Sequence, residues 1–115
     1  MNYRALGKTG LEASEIGMGA TQLGNVYIPS DQAEAVLIEA LNNSINLIDT
    51  AARYFESEER AGRFISHLKD EFIVATKCGG YRVRNDRGDY DGHSDYSRKE
   101  ILDTSDRSRR RMKLD

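Results

Sequence analysis

The sequence predicts an α/β fold: a parallel sheet assembled from right-handed βαβ units and covered by helices. Three observations carry that expectation. Short apolar runs alternate with amphipathic stretches along the chain. The run "FIVAT" at 72–76 is near-continuously apolar, as in strands buried on both faces of a parallel sheet. Finally, the runs "INLID" and "EFIVATK" both stop on a charged residue, Asp49 in the first and Lys77 in the second.

The elements follow in order. "YRALGKTGLEAS" is two short runs around Gly7-Lys8-Thr9-Gly10, the pattern of a β-hairpin with a glycine-bearing turn. "EIGMGA" is expected as a short strand whose glycines permit close backbone approach. Ser30 follows Pro29 and is expected to cap the next helix. In that helix Ala33, Val36, Leu37, Ala40 and Leu41 recur at helical spacing on one face. "INLID" reads as the second strand. Ser57 is expected to cap a second helix, with Glu58 and Glu59 in the turn where the helix dipole favours negative charge. Its apolar stripe is Ala61, Phe64, Ile65 and Leu68. "FIVAT" is the third strand. Residues 79–96 read as a long polar loop, and Ser97 begins a third helix that runs to the end of the sequence.

Composition narrows the function classes. A chain of 115 residues is about one small domain with one modest core. Its net charge of -2 argues against binding nucleic acid or a membrane surface by bulk charge. With Cys78 as its one cysteine there is no internal disulfide, which fits a reducing compartment. The N-terminal segment lacks an apolar signal region, and no window reaches the length of a membrane span. The expectation is a cytoplasmic, soluble protein.

Parallel strands place their C-terminal ends on one rim, so Asp49 and Lys77 are expected to meet there across the strand spacing of about 4.8 Å. Tyr54 lies in the loop leaving the second strand, above the same rim, where α/β folds gather functional groups. A phenol titrates near a pKa of about 10, and a neighbouring cation favours the phenolate. Asp49, Tyr54 and Lys77 therefore read as a tuned proton donor. The spacing fits equally a structural ion pair with a tyrosine packed beside it, and both readings stand at this point.

The residues themselves extend the argument. "YRALGKTGLEASEIGMGATQLG" resembles the opening hairpin and first barrel strand of the aldo-keto reductase family. "NLIDTAARYFESEERAG" resembles its D-T-A-x-x-Y-x-x-S-E-x-x-x-G signature, with Asp49, Thr50, Ala51, Tyr54, Ser57, Glu58 and Gly62 in register. "IVATKCG" resembles the strand that carries the family lysine. The resemblance covers essentially the whole chain. It implies a partial (β/α)8 TIM barrel over 1–115, comprising the N-terminal hairpin and about three β/α units. It also implies an oxidoreductase that reduces aldehydes and ketones, or oxidises alcohols, with NADP(H) or less often NAD(H). Tyr54 would donate the proton with Lys77 and Asp49 assisting, while Gly19, Ala20, Thr21 and Asp49 would line the cofactor. No metal is expected.

The same resemblance implies what the chain lacks. A barrel of this kind takes about 250 residues and eight strands. The family's next strand, which delivers a catalytic histidine, would begin near Asp115, and neither His67 nor His93 stands at that position. The expectation is a truncated domain, and the alternative function is an inactive reductase remnant that acts by association with another chain. An open three-stranded sheet is expected to self-associate through its edge. Two departures from the family pattern stand out: Ser44 occupies a helix end where glycine is usual, and Ser105 and Arg109 fall where apolar residues usually face the sheet. The basic run "RSRRRMK" reads as a solvated helix face, the acidic loop around His93 as solvated, and Cys78 as a packed small hydrophobe or a reactive thiol.

Overall fold

A computed structural model of the chain describes residues 1–68 and 71–114. The chain opens with β1 (Tyr3–Ala5) and β2 (Glu12–Ser14), an antiparallel hairpin in register Tyr3 to Ser14. Next come β3 (Met18–Gly19), a short 3-10 turn (Gln22–Gly24), helix α1 (Ser30–Asn42), β4 (Leu47–Asp49), α2 (Ser57–Ile65) and β5 (Ile73–Ala75). The strands β6 (Gly80–Arg84) and β7 (Tyr90–Ser94) precede α3 (Arg98–Met112). Asp115, to which the expected last helix runs, lies outside the described residues.

The sheet order β3-β4-β5 is parallel throughout, as the alternation of apolar runs requires. Met18 pairs with Ile48 and Ile48 with Val74, while Gly19 pairs with Asp49 and Asp49 with Ala75. Because strand side chains alternate, these two rows point to opposite faces. Ile48 turns into the core with Ala20, Leu23, Ala33, Leu37, Ile65 and Phe72, and Met18 and Val74 pack against it. The Gly19-Asp49-Ala75 row is exposed. Three strands form an open arc, with no closed barrel among the described residues. That arc explains one difference from the sequence reading: Ile73 and Val74 are half-buried and Ala75 is exposed, because only the helix side of β5 is covered.

Four local expectations are corrected. Ser30 is the first residue inside α1; Pro29 holds the capping position, and the first-turn Gln32 N–H donates instead to Asp31 Oδ1 at 2.9 Å. Ser57 is likewise the first residue of α2, and its hydroxyl is used elsewhere, as described below. Residues 79–96 are not a loop: β6 and β7 form an antiparallel hairpin in register Gly80 to Ser94. Its turn is organised by Asn85, whose Oδ1 accepts from the backbone N–H groups of Arg87 and Asp89 at 3.1 and 2.9 Å. The buried side of α3 is Thr104, Ser108 and Met112 rather than Ser105 and Arg109. Arg109 is exposed and pairs with Asp106 at 3.0 Å, so no arginine is forced against the sheet there.

At the end of α1, Ser44 adopts φ 61°. The Ile45 N–H donates to Ala40 O at 2.9 Å and the Ser44 N–H to Leu41 O at 2.8 Å, the two bonds of a Schellman cap. A left-handed residue with a side chain costs roughly 1–2 kcal/mol. The Ser44→Gly variant is expected to gain about 1 kcal/mol in urea unfolding, because glycine adopts this conformation freely.

Candidate active site

The site is built where the ends of β4 and β5 meet the start of α2. Asp49 ends β4 and its side chain leaves the exposed row of the sheet; Lys77 stands two residues beyond β5. Lys77 Nζ donates to Asp49 Oδ1 at 2.6 Å and to the Thr50 carbonyl at 2.9 Å. The ammonium lies 5.2 Å from the centroid of the Tyr54 ring. The rim thus brings together the three residues that strand direction predicts.

Both charged side chains of the pair are about half exposed, 50% for Lys77 and 56% for Asp49. Such a pair contributes at most about 1 kcal/mol. What it fixes is position: two acceptors aim the ammonium at one place over the phenol ring. The hydrogen bond to Asp49 raises the Lys77 pKa above its ordinary 10.5; burial opposes this, and the Asp49 charge and Tyr54 add to the rise. A raised lysine value stabilises the fold below the ordinary pKa and ceases to do so as pH climbs through the folded value. Lys77→Met is therefore expected to melt slightly below the parent protein at neutral pH, with the difference vanishing at alkaline pH beyond that value.

Ser57 locks the supports together. Its Oγ donates to the Ala20 carbonyl at 2.7 Å and lies 2.8 Å from Thr50 Oγ1, all three residues being fully buried. It joins the segment after β3 to that after β4, so the demand on its hydroxyl explains why it does not cap α2. The Ser57 N–H donates to the Tyr54 carbonyl at 2.9 Å, which anchors the tyrosine loop to the helix. Gly24 makes the tightest contact of this region: a Cβ there would stand 1.6 Å from the Tyr54 carbonyl oxygen. Glu58, 1% exposed, accepts from Thr76 Oγ1 at 2.7 Å, and its second oxygen lies 3.3 Å from Arg111 Nε. It holds the residue before Lys77 from one side and α3 from the other.

The other predicted residues are placed differently from one another. Gly19 lies in the exposed row beside Asp49, and a Cβ there would meet nothing within 4 Å. The Ala20 N–H donates to the Asp49 carbonyl at 2.8 Å, but its methyl group is fully buried in the core. Thr21 is exposed and borders a cleft of about 420 Å³ with Tyr54 and Lys77. Cys78 is exposed on the same cleft rather than packed as a small hydrophobe.

Sequence reasoning missed much of the cleft wall: Arg53, Phe55, Gly80, Arg82 and Tyr96. Arg82 rides on β6, so its place was hidden with the hairpin. The available signal was Asn85-Asp86-Arg87-Gly88 between alternating residues, a turn sequence with glycine at φ 85°. Phe55 adopts φ 50° and meets Tyr90 edge to face at 5.2 Å between centroids, which ties the tyrosine loop to β7.

The parallel arc and its rim define an α/β protein whose strand ends gather a carboxylate, a phenol and an amine. A profile described as the Aldo/keto reductase family matches residues 15–115. The chain belongs to the aldo/keto reductase family. It is 38% identical over 122 residues to L-galactose dehydrogenase of Arabidopsis thaliana, covering 100% of this chain and 35% of that protein. Among solved structures it superposes on the aldo-keto reductase AKR11C1 from Bacillus halodurans (holo form) with TM-score 0.83 at 31% identity, covering 100% of this chain and 37% of that one. Against the glycerol dehydrogenase AKR11B4 from Gluconobacter oxydans the TM-score is 0.83 at 28% identity, covering 97% and 36%. The chain thus spans little more than a third of the length of these relatives, and its fold is the corresponding part of a (β/α)8 barrel.

No described helix is long and apolar enough to cross a membrane. No group of three or more metal-ligating side chains occurs among the described residues.

Proposed function

We propose that the site serves an oxidoreductase that reduces an aldehyde or ketone with NADP(H), with Tyr54 as the proton donor. The observation that carries this reading is the Lys77 ammonium held over the Tyr54 ring by Asp49 and the Thr50 carbonyl. The residues present fit the reacting end of a nicotinamide: Gly19 leaves open space beside Asp49 in the exposed row of the sheet, and Thr21 borders the cleft together with Tyr54. When bound, the nicotinamide supplies the hydride to the carbonyl carbon. Tyr54 gives its proton to the carbonyl oxygen, and the phenolate it leaves is stabilised by the nearby ammonium. Asp49 keeps Lys77 charged and aimed. Ser57 and Gly24 keep the Tyr54 loop seated. The test is NADPH oxidation by the protein across a set of aldehydes and ketones, with NADPH binding followed by fluorescence. Oxidation that requires the carbonyl compound supports the reading; binding and turnover both absent would overturn it.

A second reading is favoured by the outer edges of β3 and β5, which have no strand partner among the described residues. Beside β3, Met18, Leu23, Ile28 and Val36 line an apolar groove of about 210 Å³. Here the chain associates with a second copy of itself through these surfaces, without turnover. Sedimentation at increasing concentration tests it: rising mass supports association, and a monomer at every concentration rules it out.

A further inference from the structure

We propose that the cleft beside Tyr54 accepts a carbonyl compound bearing a carboxylate or phosphate, and that Arg53 and Arg82 hold that anionic group. The proposal rests on the reductase reading for calling the ligand a substrate, but not for its binding.

The cleft of about 420 Å³ is bordered by Lys77, Arg53 and Arg82, and no carboxylate is among the residues that line it. Lys77 is already neutralised by Asp49. Among the described residues the two arginines have no ion pair. Arg53 reaches one hydrogen-bond partner, Ser94 Oγ at 3.5 Å, and Arg82 stacks on Phe55 with its guanidinium carbon 4.4 Å from the ring centroid. Elsewhere Arg60, Arg107, Arg110 and Arg111 each meet a carboxylate. Arg63, Arg87 and Arg98 also have no ion pair among the described residues, but they do not border this cleft; what sets Arg53 and Arg82 apart is that two unpaired guanidinium groups share one concave site.

The hairpin places them together. In the β6-β7 ladder Gly80 pairs with Ser94 and Arg82 with Gly92, so these four positions share one face. Arg53 lies across that face. A Cβ at Gly80 would stand 2.8 Å from Arg53 Cδ, and one at Gly92 would stand 2.9 Å from Arg53 Nη2. Two glycines thus leave room for one guanidinium beside the other. Asp91 and His93 alternate onto the opposite face of β7. Acidic groups do approach Arg82 from the outer side: Glu56 and Asp89 border a wider recess of about 940 Å³ with it. Glu56 is committed to Arg60 at 3.0 Å, which leaves Asp89 as the carboxylate of that recess without an ion pair among the described residues. The inner cleft keeps its positive character. A guanidinium is a planar fork that grips carboxylate or phosphate with two parallel hydrogen bonds, and that of Arg82 lies against the Phe55 ring.

The test compares levulinate with methyl levulinate, which present the same ketone with and without the negative charge. Binding to the protein without NADPH is followed by ligand-observed nuclear magnetic resonance. Levulinate is expected to bind at least about tenfold tighter, the effect of one charge-assisted contact, and to weaken with added salt. The double variant Arg53→Gln/Arg82→Gln is expected to abolish that preference and leave methyl levulinate unchanged. Equal binding of the two compounds overturns the proposal. Because Arg53 also packs against the hairpin, Arg53→Lys is the companion: it should retain part of the preference, and a loss equal to that of Arg53→Gln overturns the proposal by assigning Arg53 to packing. A double variant that weakens NADPH binding but leaves levulinate untouched overturns it too, since the arginines then serve the dinucleotide phosphates. If the preference holds while NADPH neither binds nor is oxidised with any carbonyl compound, the reductase reading falls and the anion site stands.

Discussion

Replacing Tyr54 with phenylalanine is expected to lower carbonyl turnover by about 10²–10⁴-fold, the usual contribution of a positioned acid, with KM little changed. The substitution removes one oxygen and keeps the ring, so the contact beneath Lys77 and the packing of the half-buried side chain survive. Thermal melts of the two proteins should coincide. The relevant readout is the NADPH-dependent rate at saturating substrate, because a proton given only in the transition state appears in kcat. Unchanged turnover in Tyr54→Phe would remove the phenol from the mechanism and leave the Asp49–Lys77 pair as a structural rim contact.

Gly24→Ala is expected to cost about 3 kcal/mol or more in chemical denaturation, at the upper end of what overpacking does. The new methyl would stand 1.6 Å from the Tyr54 carbonyl oxygen, 2.7 Å from its carbon and 2.9 Å from the Ser57 nitrogen. All three are backbone atoms, so no side-chain rotation relieves the clash. The loop must move, and it carries Tyr54. Loss of turnover should therefore accompany loss of stability, and it should persist at temperatures where the variant is still folded. Gly19→Ala is the control for stability: with open space at that position it should change unfolding by no more than about 0.5 kcal/mol. A Gly24→Ala protein as stable as the parent would show that the turn and the tyrosine loop are not locked together.

The rim was legible because parallel strands convert spacing into direction. Once β4 and β5 are read as neighbours, residues that end them must share an edge, and Asp49 and Lys77 do. Tyr54 followed from the loop length. Side-chain hydroxyls were less legible. Ser30 and Ser57 match the composition of a helix start, but sequence does not show that the Ala20 carbonyl and Thr50 claim Ser57 first. The β6-β7 hairpin was missed because its residues are mostly exposed and polar; its order comes from cross-strand pairing and the Asn85 turn rather than from a buried face. With it went Arg82, and with Arg82 the charge of the cleft. The buried side of α3 was misassigned for a related reason: Thr104 and Ser108 satisfy a helix-packing surface with small residues, which hydropathy does not flag.

The span between paired strands has a kinetic consequence. Asp49 and Lys77 are 28 residues apart, and Ser57 reaches back 37 residues to Ala20. Within the parallel sheet β4 pairs with β3 and β5 with β4 only across an intervening helix, so these contacts are non-local and their loop-closure entropy must be met before they form. The rim is therefore expected to consolidate only once β5 has left the ribosome, because Lys77, which joins Asp49 there, lies beyond that strand.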